Sequence, residues 1–388
     1  MNSHSHLFDD GGRRLWGTLG SLGIATGAAA AFVTPERAWA SGLLITYYLA
    51  TLGLGGAVFI ATANVTGAGW HIAIRRIPEA LTNLLPISGL LLIGLLLAQS
   101  GRYEWHAQGH ADAGTFWFKE LWLSSTFLLA RAAAYLVLWM VFATRLVSVS
   151  RSQDRLLVTA AERINTTTSA VFLALFAVTF SLAAVDWIMA LEPLWFSTMW
   201  GVYHFSGMFQ ATLAAIIIVG VLLRSGGQMQ GIFRDDHLHD LGKLLLGFSC
   251  FWMYIWFCQY MLIWYSNIPE ETSYFTSRLQ GSWGPMVIAS VVLNWVIPFF
   301  ALLPRASKRN GQIMLRVAGI VLIGRWVDLS VMVYPPVVGD APVLGIPEVA
   351  GVVAGIGIAV WMFTTAFSRA SPMPVRDPLL EESLHYVS

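Results

Sequence analysis

Apolar residues along this chain come in long unbroken runs, without the strict alternation of half-buried strands. A hydrocarbon core of ~30 Å takes about 20 helical residues to cross. Runs of that length lie near 14–33, 42–64, 78–99, 119–144, 168–191, 196–223, 242–266, 283–304, 311–333 and 346–368. The pattern predicts an all-α polytopic membrane protein of about ten transmembrane helices, one integral membrane domain over residues 1–388. The longest connections, around 100–118 and 145–167, are too short for a folded soluble domain.

Threading the chain through these runs sorts its 23 Lys and Arg residues by side. Most, among them Arg75, Arg76, Arg151, Arg234, Lys243 and Arg376, fall on the side of the N-terminus. Arg37, Arg102, Lys119 and Arg278 fall on the other, and Arg131 and Arg325 lie inside spans. That asymmetry predicts cytoplasmic termini. The stretch GRRLWGTLGSLGIATGAAAAFVTPERAWA has the paired arginines, apolar run and A-x-A-like end of a cleavable signal, although retention as a first helix is expected. The terminal segments MNSHSH and EESLHYVS read as short solvated tails.

Composition strengthens the membrane assignment. The chain is 56% hydrophobic and 12% charged, a balance suited to lipid, and its 17 Trp and 11 Tyr suit aromatic belts. A net charge of +1 leaves no basic footprint for nucleic acid. Cys250 and Cys258 form no metal or haem-attachment spacing and read as buried structural thiols. Of nine histidines, only His204 falls well within a run, whereas a membrane haem b needs two facing imidazoles. The chain is therefore expected to bind neither a metal nor a redox cofactor of its own.

Ionisable groups inside a span cost roughly 2.5–3.5 kcal/mol each on the insertion scale, so each calls for a partner or a function. On the fourth run Glu120, Ser124, Phe127, Arg131 and Tyr135 share one helical stripe. The stripe reads either as a bundle-facing polar track or as an ion pair to another helix plus a chance serine. On the ninth, Arg325 and Asp328 sit three apart on one face, spaced to neutralise each other. On the seventh, Trp252, Trp256, Gln259 and Tyr260 line one side, and the Gln259 amide needs partners in hydrocarbon. Between the fifth and sixth runs, DWIMALEPLWFSTMWGVYHFSG places Asp186 and His204 below a turn where Glu192 suits an N-terminal cap. By depth, Glu120, Asp186, His204, Gln259 and Asp328 all fall in the half away from the N-terminus.

Three stretches carry a resemblance: VDWIMALEPLWFSTMWGVYHFSG (185–207), HDLGKLLLGFSCFWMYIWFCQYMLIWYSNIPEET (239–272) and TGAGWHIAIRR (66–76). Together they resemble the smaller NrfD-like membrane subunits of alternative complex III, a quinol:cytochrome c oxidoreductase of bacterial cytoplasmic membranes. The resemblance implies two four-helix bundles, helices 2–5 (about 42–191) and 6–9 (about 196–333), flanked by helices 1 and 10. It implies as partners a larger NrfD-like paralogue, an extracytoplasmic iron–sulfur subunit and haem-c-containing subunits, which would hold the electron-carrying cofactors. It carries over Asp186, His204, Lys243 and Gln259 as motif residues.

The resulting expectation is a non-haem subunit that contributes to quinol-linked proton transfer and to assembly. Asp186, His204 and Glu120 are the proton-transfer candidates, with Asp186 and His204 as a facing pair. Gln259, Trp256 and Tyr260 are candidate quinone or polar-track contacts, and Arg131, Lys243, Arg325 and Asp328 complete a proton path or a structural network. Two alternatives stand beside it: a secondary transporter, and a purely structural anchor for redox subunits. Matched glycine breaks near mid-membrane would mark the transporter, and buried carboxylates are superfluous to an anchor.

Overall fold

The computed structural model describes residues 9–98, 121–122, 124–154, 161–192, 195–339 and 341–387. Among them the chain is helical, without strands. The long helices are α1 (Asp10–Ala30), α2 (Pro35–Thr66), α3 (Ile72–Ala98), α4 (Ser125–Gln153), α5 (Ala161–Trp187), α6 (Trp200–Ser225), α7 (Asp235–Ser266), α8 (Gly284–Leu302), α9 (Gly311–Val338) and α10 (Ile346–Phe367). Nine of these, α2 to α10, are long and apolar enough to cross a membrane, and the protein is a multi-pass helical membrane protein. The first expected span is corrected in part. It forms a helix, but Arg13, Arg14 and its glycines leave it less apolar than the others.

Neighbouring helices close into two rings. α2, α3, α4 and α5 pack in a cycle, and so do α6, α7, α8 and α9. α2 joins the rings by packing on both α6 and α9, which explains why its most apolar stretch is wholly buried. Helix α10 packs on α2, and α1 lies along α10. That last contact is backbone to backbone: a side chain at Gly357 would overlap the Gly20 backbone, so only glycine allows the approach.

The helices carry readable signals at their ends and breaks. Pro35 starts α2 and Gly67, at φ 63°, ends it in the left-handed region. Ser124 accepts the Phe127 N–H and caps α4, so its place on the polar stripe is a capping role. α3 begins with a 3-10 turn, Ile72–Ile74, before Arg76–Leu81 and Leu84–Ala98. α8 contains a π turn at Val292–Val296 just before Pro298. Lys308 spans Leu302 O and Leu303 O at 2.5 and 3.1 Å, supplying donors to carbonyls at the end of α8.

The C-terminal segment departs from the expected solvated tail. Ser383 is fully buried: its hydroxyl bonds Trp70 O at 2.7 Å and receives the Ala73 N–H at 3.0 Å. His237 Nε2 reaches Ser383 O at 3.0 Å, Arg234 donates to Leu384 O at 2.9 Å, and Asp377 pairs with Arg75 at 2.7 Å. The segment therefore straps both rings together on the side of the N-terminus. Its Ser and Asp have no pattern of their own, because their partners lie some three hundred residues earlier in the chain.

Candidate functional site

Each ring holds its own buried polar centre. In the first, α4 and α5 bring Arg131 to Asp186. The guanidinium grips the carboxylate with both arms, Nε to Oδ2 at 2.9 Å and Nη2 to Oδ1 at 3.0 Å. Tyr135 adds a bond at 3.3 Å and Trp122 one at 3.2 Å. Arg131 also donates to Trp122 O at 2.7 Å and lies 4.0 Å over that ring. Every strong acceptor of Asp186 is thus engaged, and the charges cancel in place. Of the two readings of the fourth run, the ion pair to another helix is the one observed.

Asp186 does not share a hydrogen bond with His204, which corrects the expected facing pair. His204 Nδ1 meets the Tyr47 hydroxyl at 2.7 Å, tying α6 of the second ring to α2 of the first. Two further bonds cross the same seam, Ser41 to Tyr334 at 2.9 Å and Tyr48 to Leu322 O at 2.8 Å. His204 is fully buried, and its Nε2 has no partner among the described residues. Glu120, the third proton-transfer candidate, lies outside the described residues.

The second ring holds a longer arrangement. Arg325 and Asp328 pair at 2.6 Å on one turn of α9, with side chains 1% and 4% exposed. Tyr203 on α6 donates to Asp328 at 2.5 Å, Ser290 on α8 lies within 3.4 Å, and Trp252 on α7 reaches it at 3.4 Å. Four helices therefore converge on one carboxylate. Gly207 is glycine for a local reason, since a side chain there would overlap the Arg325 guanidinium.

One to two turns nearer the N-terminal side, Gln210 bonds Ser249 at 2.9 Å and Asn294 O at 2.6 Å, while Asn294 donates to Ser290 O at 2.9 Å. Below this level the ring is filled by Leu213, Ile217, Leu245, Val317 and Val321, all buried. The polar column ends blind on an apolar plug.

On the opposite side the column opens into a cavity of about 30 Å³, bordered by Tyr203, Gln259, Tyr274, Arg278, Ser290 and Asp328. That volume holds about two waters. Trp256 and Gln259 reach this cavity, whereas Tyr260 stacks on Trp256 with ring centres 5.6 Å apart and does not border it. Of the three candidates, Trp256 and Gln259 border the cavity together.

Several buried polar atoms along the column lack a protein partner among the described residues: Gln259 Nε2, Arg325 Nε and Nη2, His204 Nε2, Gln210 Oε1 and Asn294 Oδ1. Both donors and acceptors stand idle in one ring, which is the condition that bound water satisfies. Lys243 lies away from this column, half exposed and paired with Asp240 at the start of α7.

Sequence reasoning found Arg325, Asp328, Asp186 and Arg131 but missed others. Arg278 lay in a presumed loop, yet it sits on the helix Pro269–Leu279 with its side chain 2% exposed. The spacing of Tyr274 and Arg278, four apart, was the available signal. Burial pushes the Tyr274 phenol up to about 12, so it stays neutral at working pH. A second missed cluster lies on the N-terminal side, where Glu79 takes Arg76 at 2.6 Å beside Arg75, Asp154 and Ser150.

No group of His, Cys, Asp and Glu suited to a metal occurs among the described residues. No protein-family model matches the chain, and a comparison with curated proteins finds no match.

Proposed function

We propose that this chain is a non-haem membrane subunit of a quinol:cytochrome c oxidoreductase of the alternative complex III type. In this reading its second ring carries protons between mid-membrane and the side opposite the N-terminus. A larger NrfD-like paralogue, an iron–sulfur subunit and haem-c-containing subunits would hold the electron carriers and the quinol. The bacterial cytoplasmic membrane with both termini inside is the matching location. The motifs at 66–76, 185–207 and 239–272 support the family, and one structural observation supports the role. A column from Gln210 to the cavity at Arg278 has idle donors and acceptors along it and ends on an apolar plug. A path open toward one side alone suits protons released in one direction. In the first ring the closed Arg131–Asp186 pair serves assembly.

The test is Tyr203→Phe in the assembled complex. The ring and its volume remain, Asp328 keeps Arg325, and only the phenolic donor at 2.5 Å is lost. Haem content and subunit composition should be unchanged, while proton release per quinol oxidised, or turnover itself, falls about tenfold, the loss of roughly 1.4 kcal/mol of barrier lowering. Unchanged turnover with unchanged proton release would remove the column from the mechanism. If the chain purified without any haem-c or iron–sulfur partner from its native membrane, the family reading itself would fail.

A further inference from the structure

At the head of the column the Arg278 side chain, buried itself, borders the cavity and pairs with a partly exposed carboxylate. The helix Pro269–Leu279 lies across the cavity, and Arg278 is held from three directions. Its Nε donates to Val331 O at 2.9 Å, one turn beyond Asp328 on α9. Its Nη1 donates to Tyr274 O at 3.1 Å, and the guanidinium carbon lies 3.7 Å over the Tyr274 ring. Its Nη2 donates to Glu192 at 2.6 Å. The pair straddles a boundary, for Glu192 is 29% exposed and Arg278 only 2%.

We propose that Arg278 and Glu192 form the gate of the column on the side opposite the N-terminus. The proposal rests on the reading that the column carries protons. In the closed arrangement a fixed guanidinium stands between the cavity and solvent, where its charge opposes the passage of hydronium. When Arg278 leaves the Val331 carbonyl and turns outward with Glu192, the cavity meets bulk water. A proton can then pass from cavity water to the Glu192 carboxylate and on to solvent, with no other bond made or broken.

The surroundings favour such a movement. The covering helix is fastened to the turn that carries Glu192 through Trp195, which stacks on Tyr274 at 4.1 Å and donates to Glu271 O at 3.2 Å. Glu192, Trp195, Tyr274 and Arg278 therefore form one unit that can shift together. The two acceptors on α9 and Tyr274 are backbone carbonyls, so Arg278 can leave without stranding a buried carboxylate.

The experiment measures access to the cavity. Cys250 and Cys258 are replaced by serine in the full chain, Ser290→Cys is introduced as the probe site, and the protein is placed in liposomes. Silver ion, charged, thiol-reactive and about the size of a water molecule, is added to the face opposite the N-terminus. With the native pair the thiol should react slowly. Glu192→Gln and Arg278→Ala should each raise the rate at least tenfold, and Arg278→Lys should fall between. From the N-terminal face all variants should stay unreactive, because the plug remains. Equal rates with and without the pair overturn the gate. Should Arg278→Ala fail to fold, Glu192→Gln decides alone, since it keeps the side-chain volume and removes only the charge that holds Arg278 at the boundary. If access rises but Tyr203→Phe leaves proton release unchanged, the gate stands and the proton reading falls. If access does not rise while Tyr203→Phe is impaired, the reverse holds.

Discussion

Gln210 donates its side-chain amide to the backbone carbonyl of Asn294 at 2.6 Å. Asn294 lies four residues before Pro298, whose ring nitrogen has no hydrogen to give back to it. A side chain on α6 therefore supplies the donor that α8 lacks, and it does so inside a π turn, a distortion often found at functional sites. A second-ring helix is held in register by a bond that its own sequence cannot make.

The relationship predicts a coupling. Gln210→Leu should destabilise the chain by about 1–3 kcal/mol, the cost of a buried carbonyl left without its donor. In a Pro298→Ala background, where an N–H becomes available at position 298, the same change should cost less. Thermal unfolding in one detergent, applied to both single variants and the double, gives the interaction term. Strict additivity would mean that Gln210 does not replace the missing donor.

Arg131 and Asp186 should behave as a structural pair. Arg131→Met leaves a carboxylate buried with only Tyr135 and Trp122 as donors, a loss of about 3–5 kcal/mol. Removing both charges, Arg131→Met with Asp186→Leu, should recover most of it. Asp186→Asn is correspondingly a poor probe of proton transfer, because it also breaks a two-armed bond. A double variant no more stable than Arg131→Met alone contradicts this account.

Stability should depend on pH through His71. Burial, with Arg75 adjacent, lowers its pKa from 6.5 to about 4, and its Nδ1–H donates to Ala68 O at 2.7 Å. The folded chain thus refuses a proton that the unfolded chain accepts between those values. Stability is full above about pH 6.5 and falls as pH drops toward 4, with a slope up to ~1.4 kcal/mol per unit. Melting curves from pH 4 to 7 should flatten in His71→Gln. An unchanged slope in that variant places the titration elsewhere.

The α1–α10 contact should be intolerant of volume. Gly357→Val pushes a side chain into the Gly20 backbone and should cost about 1–3 kcal/mol. A cysteine at Ile358, smaller than the isoleucine it replaces and buried against Gly20, should then react readily with thiol reagents. Persistent protection would show that the two helices part without exposing it.

Legibility followed the physics of each feature. Spans were readable because lipid demands continuous apolar runs, and the Arg325–Asp328 pair because both partners sit within one turn. Asp186 and Arg131 were each visible as costly charges, but 55 residues separate them and no periodicity names a partner that far away. Tyr47 to His204 crosses between rings and is invisible for the same reason. Arg278 was hidden differently, since a short amphipathic helix looks like a polar loop when only long apolar runs are sought.

The pairing of the chain's ends has a consequence in time. α1 is made long before α10, on which it rests, and Trp70, Ala73 and Arg75 wait for Ser383 and Asp377 some three hundred residues later. Until residues 346–387 have been made, the least apolar helix lacks its one broad contact among the described residues, and the C-terminal strap across the two rings is missing. Contacts of such long sequence separation form late and slowly. A chain stalled after α9 should therefore be more exposed to membrane proteases than one that has reached Ser383.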